Sequence, residues 1–133
     1  MVKSVFVVEA HACFRESLAC VLDREPDLRV IGQAGSLAEE HAPLALDMAD
    51  AVLLGSGMPP GDEVGEMIRK VYEESSPPIA VLMLTTSSDP AWHAWFLEAG
   101  AERILTKNAS LQEVVAAVLA LGFEPLAQPP SPL

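Results

Sequence analysis

Three polar side chains, Glu9, Thr85 and Lys107, each stand directly after a short apolar run of the kind that forms a buried strand. A carboxylate, a hydroxyl and an ammonium group are typical of sites that hold a phosphoryl group and its magnesium ion. In open α/β sheets such ligands lie beyond the carboxyl ends of the strands. The run over 52–54 leads instead to Gly55, which has no side chain to attack phosphorus or bind magnesium. The sequence thus predicts a phosphate-type site that lacks one acid.

The elements that position these residues follow from the hydrophobic pattern. Five short apolar runs alternate with segments in which apolar residues recur at the helical spacing. This alternation predicts an α/β fold, a doubly wound parallel sheet of five strands with helices on both faces. The predicted strands cover residues 5–8, 28–31, 51–54, 79–84 and 103–106.

Two pairs of residues have the spacing of a capping box, in which a hydroxyl and a carboxylate satisfy the first N–H groups of a helix. Ser36 with Glu39 predicts the start of the second helix, which Pro43 would interrupt. Ser110 with Glu113 predicts the start of the last helix.

The fourth helix has signals at both ends. Asp89 is a favourable N-cap, and Pro90 fits the first helical position, where its missing N–H costs nothing. Gly100 is expected to end this helix in the left-handed conformation that glycine tolerates.

Charge limits the partners of the chain. Its 133 residues carry 8 Lys and Arg against 19 Asp and Glu, a formal net charge of −11. That charge repels phosphate backbones and anionic lipid headgroups, so direct contact with nucleic acid or a membrane is not expected. No apolar run approaches the ~18 residues of a membrane-spanning helix, and we expect a cytoplasmic protein.

The cysteines and histidines do not predict a cofactor. Cys13 and Cys20 are about 10 Å apart along a predicted helix, too far for a disulfide, and are expected to be reduced thiols. His11, His41 and His93 lie on different segments without ligand spacing, so no metal site is expected.

We expect one domain over residues 1–122, since half of the positions are apolar and can build one core. Four prolines in the last eleven residues predict that residues 123–133 form an extended linker or a disordered tail.

Several ordered motifs together resemble a known family. They are Glu9-Ala10-His11, the run over 14–18, Met58-Pro59, Leu84-Thr85-Thr86, and Ala99-Gly100-Ala101 before Lys107. Over about residues 3–121 the chain resembles the receiver domain of two-component response regulators, most closely the NarL/LuxR subgroup. The resemblance implies a flavodoxin- or CheY-like sheet of order 2-1-3-4-5, which is not in itself an enzyme.

The resemblance also implies roles for the site residues. Glu9 matches the first of two magnesium-binding acids, whereas Ala10 has lost the second and Gly55 replaces the phosphoryl acceptor. Thr85 and Lys107 match the residues that respond to phosphorylation. We therefore expect a degenerate phosphoacceptor pocket without bound metal or cofactor. Within it, Lys107 is expected to pair with Glu9 rather than bind an anion, because a buried acid needs a partner.

A second departure from the family lies on its signalling face. Ile104 stands on the fifth strand where similar domains carry an aromatic ring whose rotamer follows the threonine. Trp92, Trp95 and Phe96 crowd the fourth helix, and at least one ring is expected to be exposed for a partner.

Three functions remain open at this point. The first is a phosphorylation-independent regulatory or dimerisation module that controls transcription through a helix-turn-helix output domain outside this chain, with a protein partner or a second copy as its contact. The second is a sensor of a small molecule or anion that uses the vacated pocket. The third is a phosphoacceptor that uses Glu9 or Ser56, although Ser56 is more typical of a turn.

Overall fold

The computed structural model describes residues 2–76 and 79–121, and within them five strands and five helices alternate. The strands are β1 Lys3–Val8, β2 Leu28–Ala34, β3 Ala51–Ser56, β4 Ala80–Thr85 and β5 Arg103–Thr106. The helices are α1 Ala12–Asp23, α2 Ala42–Met48, α3 Asp62–Glu74, α4 Pro90–Ala99 and α5 Leu111–Leu119. All strand pairs are parallel, in the order β2-β1-β3-β4-β5. The predicted α/β fold is confirmed, while the predicted tail over 123–133 lies outside the described residues.

Alternate residues of the central strands face two separate cores. Along β1, Phe6 and Val8 pack with residues of α2, α3 and α4, whereas Val5 and Val7 pack with residues of α1 and α5. This period of two is what a strand covered on both faces requires. Full burial of a side chain such as Phe6 contributes about 2–3 kcal/mol to stability. The sheet is therefore a firm base for the loops at its carboxyl edge.

Most of the predicted helix ends are confirmed. Asp89 Oδ1 accepts a hydrogen bond from the N–H of Ala91 at 2.9 Å. Ser110 and Glu113 form the reciprocal capping box at the start of α5, with bonds of 3.1 and 2.8 Å. Gly100 ends α4 at a φ of 125°.

The predicted start of the second helix is wrong. The helix begins at Ala42, and Pro43 lies in its first turn, where a missing N–H is harmless, rather than interrupting it. Glu39 does not cap a helix, because its Oε2 accepts a hydrogen bond from the N–H of Gly35 at 2.7 Å. Ser36 likewise bonds to the backbone two residues further on. The pair closes the turn that follows β2.

Strand β2 is three residues longer than predicted, and it contains an irregularity. Val5 pairs with Val30 but Phe6 pairs with Gly32, so one additional residue of β2 lies opposite β1. The extended strand continues to Ala34, whose carbonyl accepts a hydrogen bond from the N–H of Glu9 at 2.9 Å. The bulge therefore helps to fix the backbone at the candidate site.

Replacement of Gly100 by Ala is expected to destabilise the protein by about 2 kcal/mol or more, because a residue with a side chain rarely adopts a φ of 125°. A Cβ atom here would also lie 2.9 Å from the ring of Tyr72, whose hydroxyl donates to the Gly100 carbonyl. Gly57→Ala is the matched control, since its Cβ would meet only Thr86, at 3.7 Å. Urea unfolding should show a large loss for the first variant only; equal losses would contradict this explanation.

Candidate functional site at the carboxyl ends of the strands

Strands β1, β3, β4 and β5 end together at one edge of the sheet. Ser56 of β3, Thr85 of β4 and Thr106 of β5 lie side by side in register. Glu9 directly follows β1, and Lys107 directly follows β5. The predicted site residues Glu9, Thr85 and Lys107 are therefore at the same edge, as expected from the parallel topology. Ser56, the alternative acceptor, lies there as well.

The Glu9 carboxylate is the buried charge of this edge, with only 1% of its side chain exposed. Its Oε2 accepts a hydrogen bond from the N–H of His11 at 2.8 Å, and Nδ1 of the His11 ring lies 3.1 Å away. Arg15 Nη1 donates to the Glu9 carbonyl at 2.8 Å. The start of α1 thus fixes both the backbone and one carboxylate oxygen of Glu9.

The second oxygen of Glu9 pairs with Lys107. Nζ of Lys107 lies 2.8 Å from Oε1, so the two side chains form an ion pair. The pair expected from the sequence is present. Burial on its own raises the pKa of the Glu9 carboxyl, but the Lys107 ammonium and the His11 N–H stabilise the charged form more strongly and hold the pKa below its ordinary value.

Gly55 leaves open the space that the Glu9 carboxylate occupies in this ion pair. A Cβ atom on residue 55 would lie 2.1 Å from Oε1 of Glu9 and 3.1 Å from its Cδ. The Glu9 carboxylate therefore lies over the backbone of β3, in space that any other residue at position 55 would need for its own side chain. The pocket predicted to be vacated at Gly55 is filled at this point by Glu9.

The two hydroxyl groups of the site bond to nearby backbone. Thr85 is fully buried, and its Oγ1 accepts a hydrogen bond from the N–H of Ser87 at 3.3 Å. Ser56 Oγ accepts from the N–H of Met58 at 3.0 Å. Both contacts are those of turn residues that close a strand end.

A cleft of about 310 Å³ lies beside the ion pair and is bordered by Glu9, Ala10, Gly55 and Lys107, but not by Thr85. Its remaining walls come from the connections after β1, β2 and β3 and from α3, and they include Leu37, Met58 and Met67. Sequence reasoning missed these three residues. Their signal was weak, because apolar residues near strand ends look the same whether they line a cleft or fill the core.

The predicted signalling face is well packed. Phe96 is fully buried, and Trp92 and Trp95 meet its ring edge to face, with centroids 6.3 and 5.8 Å away. Both tryptophans and Ile104 are partly buried against the core that includes Phe96. The large apolar side chain that α4 exposes is instead Leu97, at 50%.

In residues 2–76 and 79–121, no group of three or more His, Cys, Asp or Glu side chains has the arrangement of a metal site. Over the same residues, no helix has the length and apolar character needed to cross a bilayer.

The fold and the residues at this edge define a receiver domain. The profile of the response regulator receiver domain family matches residues 5–119, and the chain belongs to this family. Its relatives include two-component regulators of the NarL/LuxR type. Receiver domains act through contacts with partner proteins and output domains.

Similar proteins include the DNA-binding transcriptional activator DevR/DosR of Mycobacterium tuberculosis, 34% identical over 92% of this chain and 55% of its own length. The oxygen regulatory protein NreC of Staphylococcus epidermidis is 26% identical over 86% of this chain and 52% of its own length. The chain thus spans about half the length of these relatives. The signal receiver domain of the putative response regulator NarL from M. tuberculosis superposes with a TM-score of 0.69, at 29% identity, covering 89% of this chain and 94% of that domain.

Replacement of Lys107 by Met is expected to destabilise the protein by about 3 kcal/mol at neutral pH, because it leaves the buried Glu9 carboxylate without its counter-ion. The double variant Glu9→Gln with Lys107→Met should recover most of that loss. Urea unfolding of the two variants and of the wild type at neutral pH measures both effects.

The stability of the wild type and that of Lys107→Met should change with pH in opposite directions. In the wild type the pKa of Glu9 is lowered, so its contribution is present above the ordinary carboxyl pKa and is lost as pH falls through the lowered value. Without Lys107, burial is expected to raise the pKa of Glu9, so the stability of Lys107→Met should increase as pH falls from neutral, relative to the double variant. A Lys107→Met protein whose stability does not rise in this way would contradict the assigned ion pair.

Proposed function

We propose that this chain is a phosphorylation-independent receiver module, a pseudo-receiver that holds one conformation. The observation that carries the proposal is the position of the Glu9 carboxylate above Gly55, where it pairs with Lys107. An internal acid therefore neutralises the lysine that would otherwise respond to a phosphoryl group. The state of the site is set by the sequence rather than by a kinase.

The donor set also argues against a magnesium-dependent switch. Magnesium requires near-octahedral oxygen ligation and gives up water reluctantly. Ala10 supplies no carboxylate, and both oxygens of Glu9 already have partners in His11 and Lys107. A magnesium ion would have to displace Lys107 from Glu9 in order to gain one carboxylate ligand.

Neither alternative acceptor is favoured by its contacts. Ser56 is 6% exposed, and its Oγ accepts a backbone hydrogen bond without a base on it among the described residues. The Glu9 carboxylate is 1% exposed and would have to leave Lys107 to attack phosphorus. Both groups contribute to the structure of the strand ends.

The proposed output is a contact with a protein partner or a second copy of the chain. Ile104 cannot report a switch through an aromatic rotamer, and the rings of Trp92 and Trp95 pack edge to face on the buried ring of Phe96. Such a face presents a constant surface. By analogy with DevR/DosR, which is described as a DNA-binding transcriptional activator, we propose that the complete protein regulates transcription through a helix-turn-helix domain outside this chain.

Incubation with acetyl phosphate and Mg²⁺ is expected to leave the intact mass of the wild-type protein unchanged, because position 55 offers no carboxylate. Beryllofluoride with Mg²⁺ should likewise leave the amide resonances of Thr85 and Lys107 unmoved in an NMR titration. The rebuilt variant Ala10→Asp with Gly55→Asp is the control, in which the new carboxylate displaces Glu9 and can accept the phosphoryl group.

The wild type and the rebuilt variant should therefore differ in intact mass after incubation with acetyl phosphate and Mg²⁺. A gain of one phosphoryl mass in the rebuilt variant alone supports the proposal. The same gain in the wild type, mapped by peptide analysis to Glu9 or Ser56, would overturn it.

A further inference from the structure

The cleft beside the ion pair has the size of a small-molecule site. Its volume of about 310 Å³ is at the lower end of the range of ligand pockets. The exposed surface of the cleft is mostly apolar, although polar residues, His11 and Ser36 among them, also border it. Its apolar side chains come from separate elements and include Leu37 after β2, Met58 after β3 and Met67 in α3. Methionine side chains adapt to the shape of a ligand at low cost, because they are unbranched and flexible.

The cleft exposes little charge although it lies beside two charged residues. Glu9 turns its carboxylate under the cleft towards Lys107, so only 1% of that side chain is exposed. Ala10 and Gly55 present only a methyl group and backbone at their positions in the wall. A carboxylate at position 10 or 55 would attract a cation, but neither residue has one, so this part of the cleft wall is apolar.

Lys107 supplies hydrogen-bond donors to this cleft. Its ammonium group has three donors and no acceptor, and Glu9 Oε1 is its single hydrogen-bonding or ionic partner within residues 2–76 and 79–121. The face of the Phe14 ring lies 5.8 Å from Nζ and offers no lone pair. Lys107 borders the cleft and 18% of its side chain is exposed, so an acceptor in the cleft lies close to this residue.

Electrostatics select an uncharged ligand. An anion would compete with Glu9 for one ammonium group and place two carboxylates side by side, within a chain of formal charge −11. A cation would face the Lys107 ammonium, because the Glu9 carboxylate is already buried against it. A neutral oxygen acceptor meets the Lys107 donor without either cost.

We propose that this cleft binds a small, uncharged and largely apolar molecule with one hydrogen-bond-accepting oxygen, such as a carbonyl, directed at Lys107. The ligand contacts the connections after β1, β2 and β3, the segments through which a change at this edge reaches α2 and α3. This inference goes beyond the proposed function, since the cleft is present whether or not the site accepts a phosphoryl group.

The test uses 1-indanone as a neutral bicyclic ketone, titrated into the wild-type protein and followed by amide NMR. We expect saturable shifts at Gly35, Leu37 and Gly57, with a Kd of about 1–10 mM for a probe of this size. Indane-2-carboxylate and 2-aminoindane have the same ring system with a negative or a positive charge. Both should bind more weakly by about tenfold or more.

Two matched variants locate the site. Ala10→Phe should fill the cleft and abolish the shifts, whereas Ala116→Phe adds the same ring to the exposed face of α5 and should leave them unchanged. Absence of saturable shifts in the wild type, equal binding by Ala10→Phe, or tighter binding of either charged probe would each overturn the inference. Because no phosphodonor is present, failure here is distinct from failure of the proposed function.

Discussion

The ion pair between Glu9 and Lys107 is the contact on which the rest of the site depends. The two residues follow β1 and β5, which are separated by three strand spacings, or about 14 Å. They meet at 2.8 Å because both side chains extend across the sheet edge and the Glu9 carboxylate lies over Gly55. A side chain at position 55 would occupy the same space. The absence of a side chain at Gly55 and the position of the ion pair therefore go together.

This arrangement bears on whether the receiver domain can switch between two states. A switch requires two states of similar free energy and an input that binds one of them more tightly. Here the carboxylate that neutralises Lys107 belongs to the folded chain, and removal of Lys107 leaves a buried carboxylate without its counter-ion. Under the proposed function, the site therefore favours one of these two states. Under the proposed function, regulation of the protein acts through another contact, either at the cleft or on the surface.

Much of the fold was predictable because its signals are local. Asp89, Gly100 and the Ser110–Glu113 box specify helix ends through bonds within a few residues, and the structure has them as predicted. The Ser36–Glu39 pair has the same spacing but closes a turn, because capping also requires the backbone that follows to be helical. The bulge that brings Phe6 opposite Gly32 had no local signal at all.

At the site, too, some features could be predicted from the sequence and others could not. The pairing of Glu9 with Lys107 followed from the need of a buried acid for a partner, and the turn role of Ser56 followed from its neighbours. What the sequence could not show is how far the Glu9 side chain reaches, since this depends on distances across three strands. For that reason the space at Gly55 was expected to be vacant, whereas the cleft lies beside it and is bordered by Leu37, Met58 and Met67.

The most direct measurement of the central claim is the titration of the Glu9 carboxyl group itself, by ¹³C NMR of its Cδ resonance with and without Mg²⁺ and acetyl phosphate. If the carboxylate is held by Lys107 and the His11 N–H, its pKa lies below the ordinary glutamate value, and neither addition changes the titration curve. A pKa at or above the ordinary value, or a curve that Mg²⁺ or acetyl phosphate displaces, would show that Glu9 is free to serve a phosphoryl site.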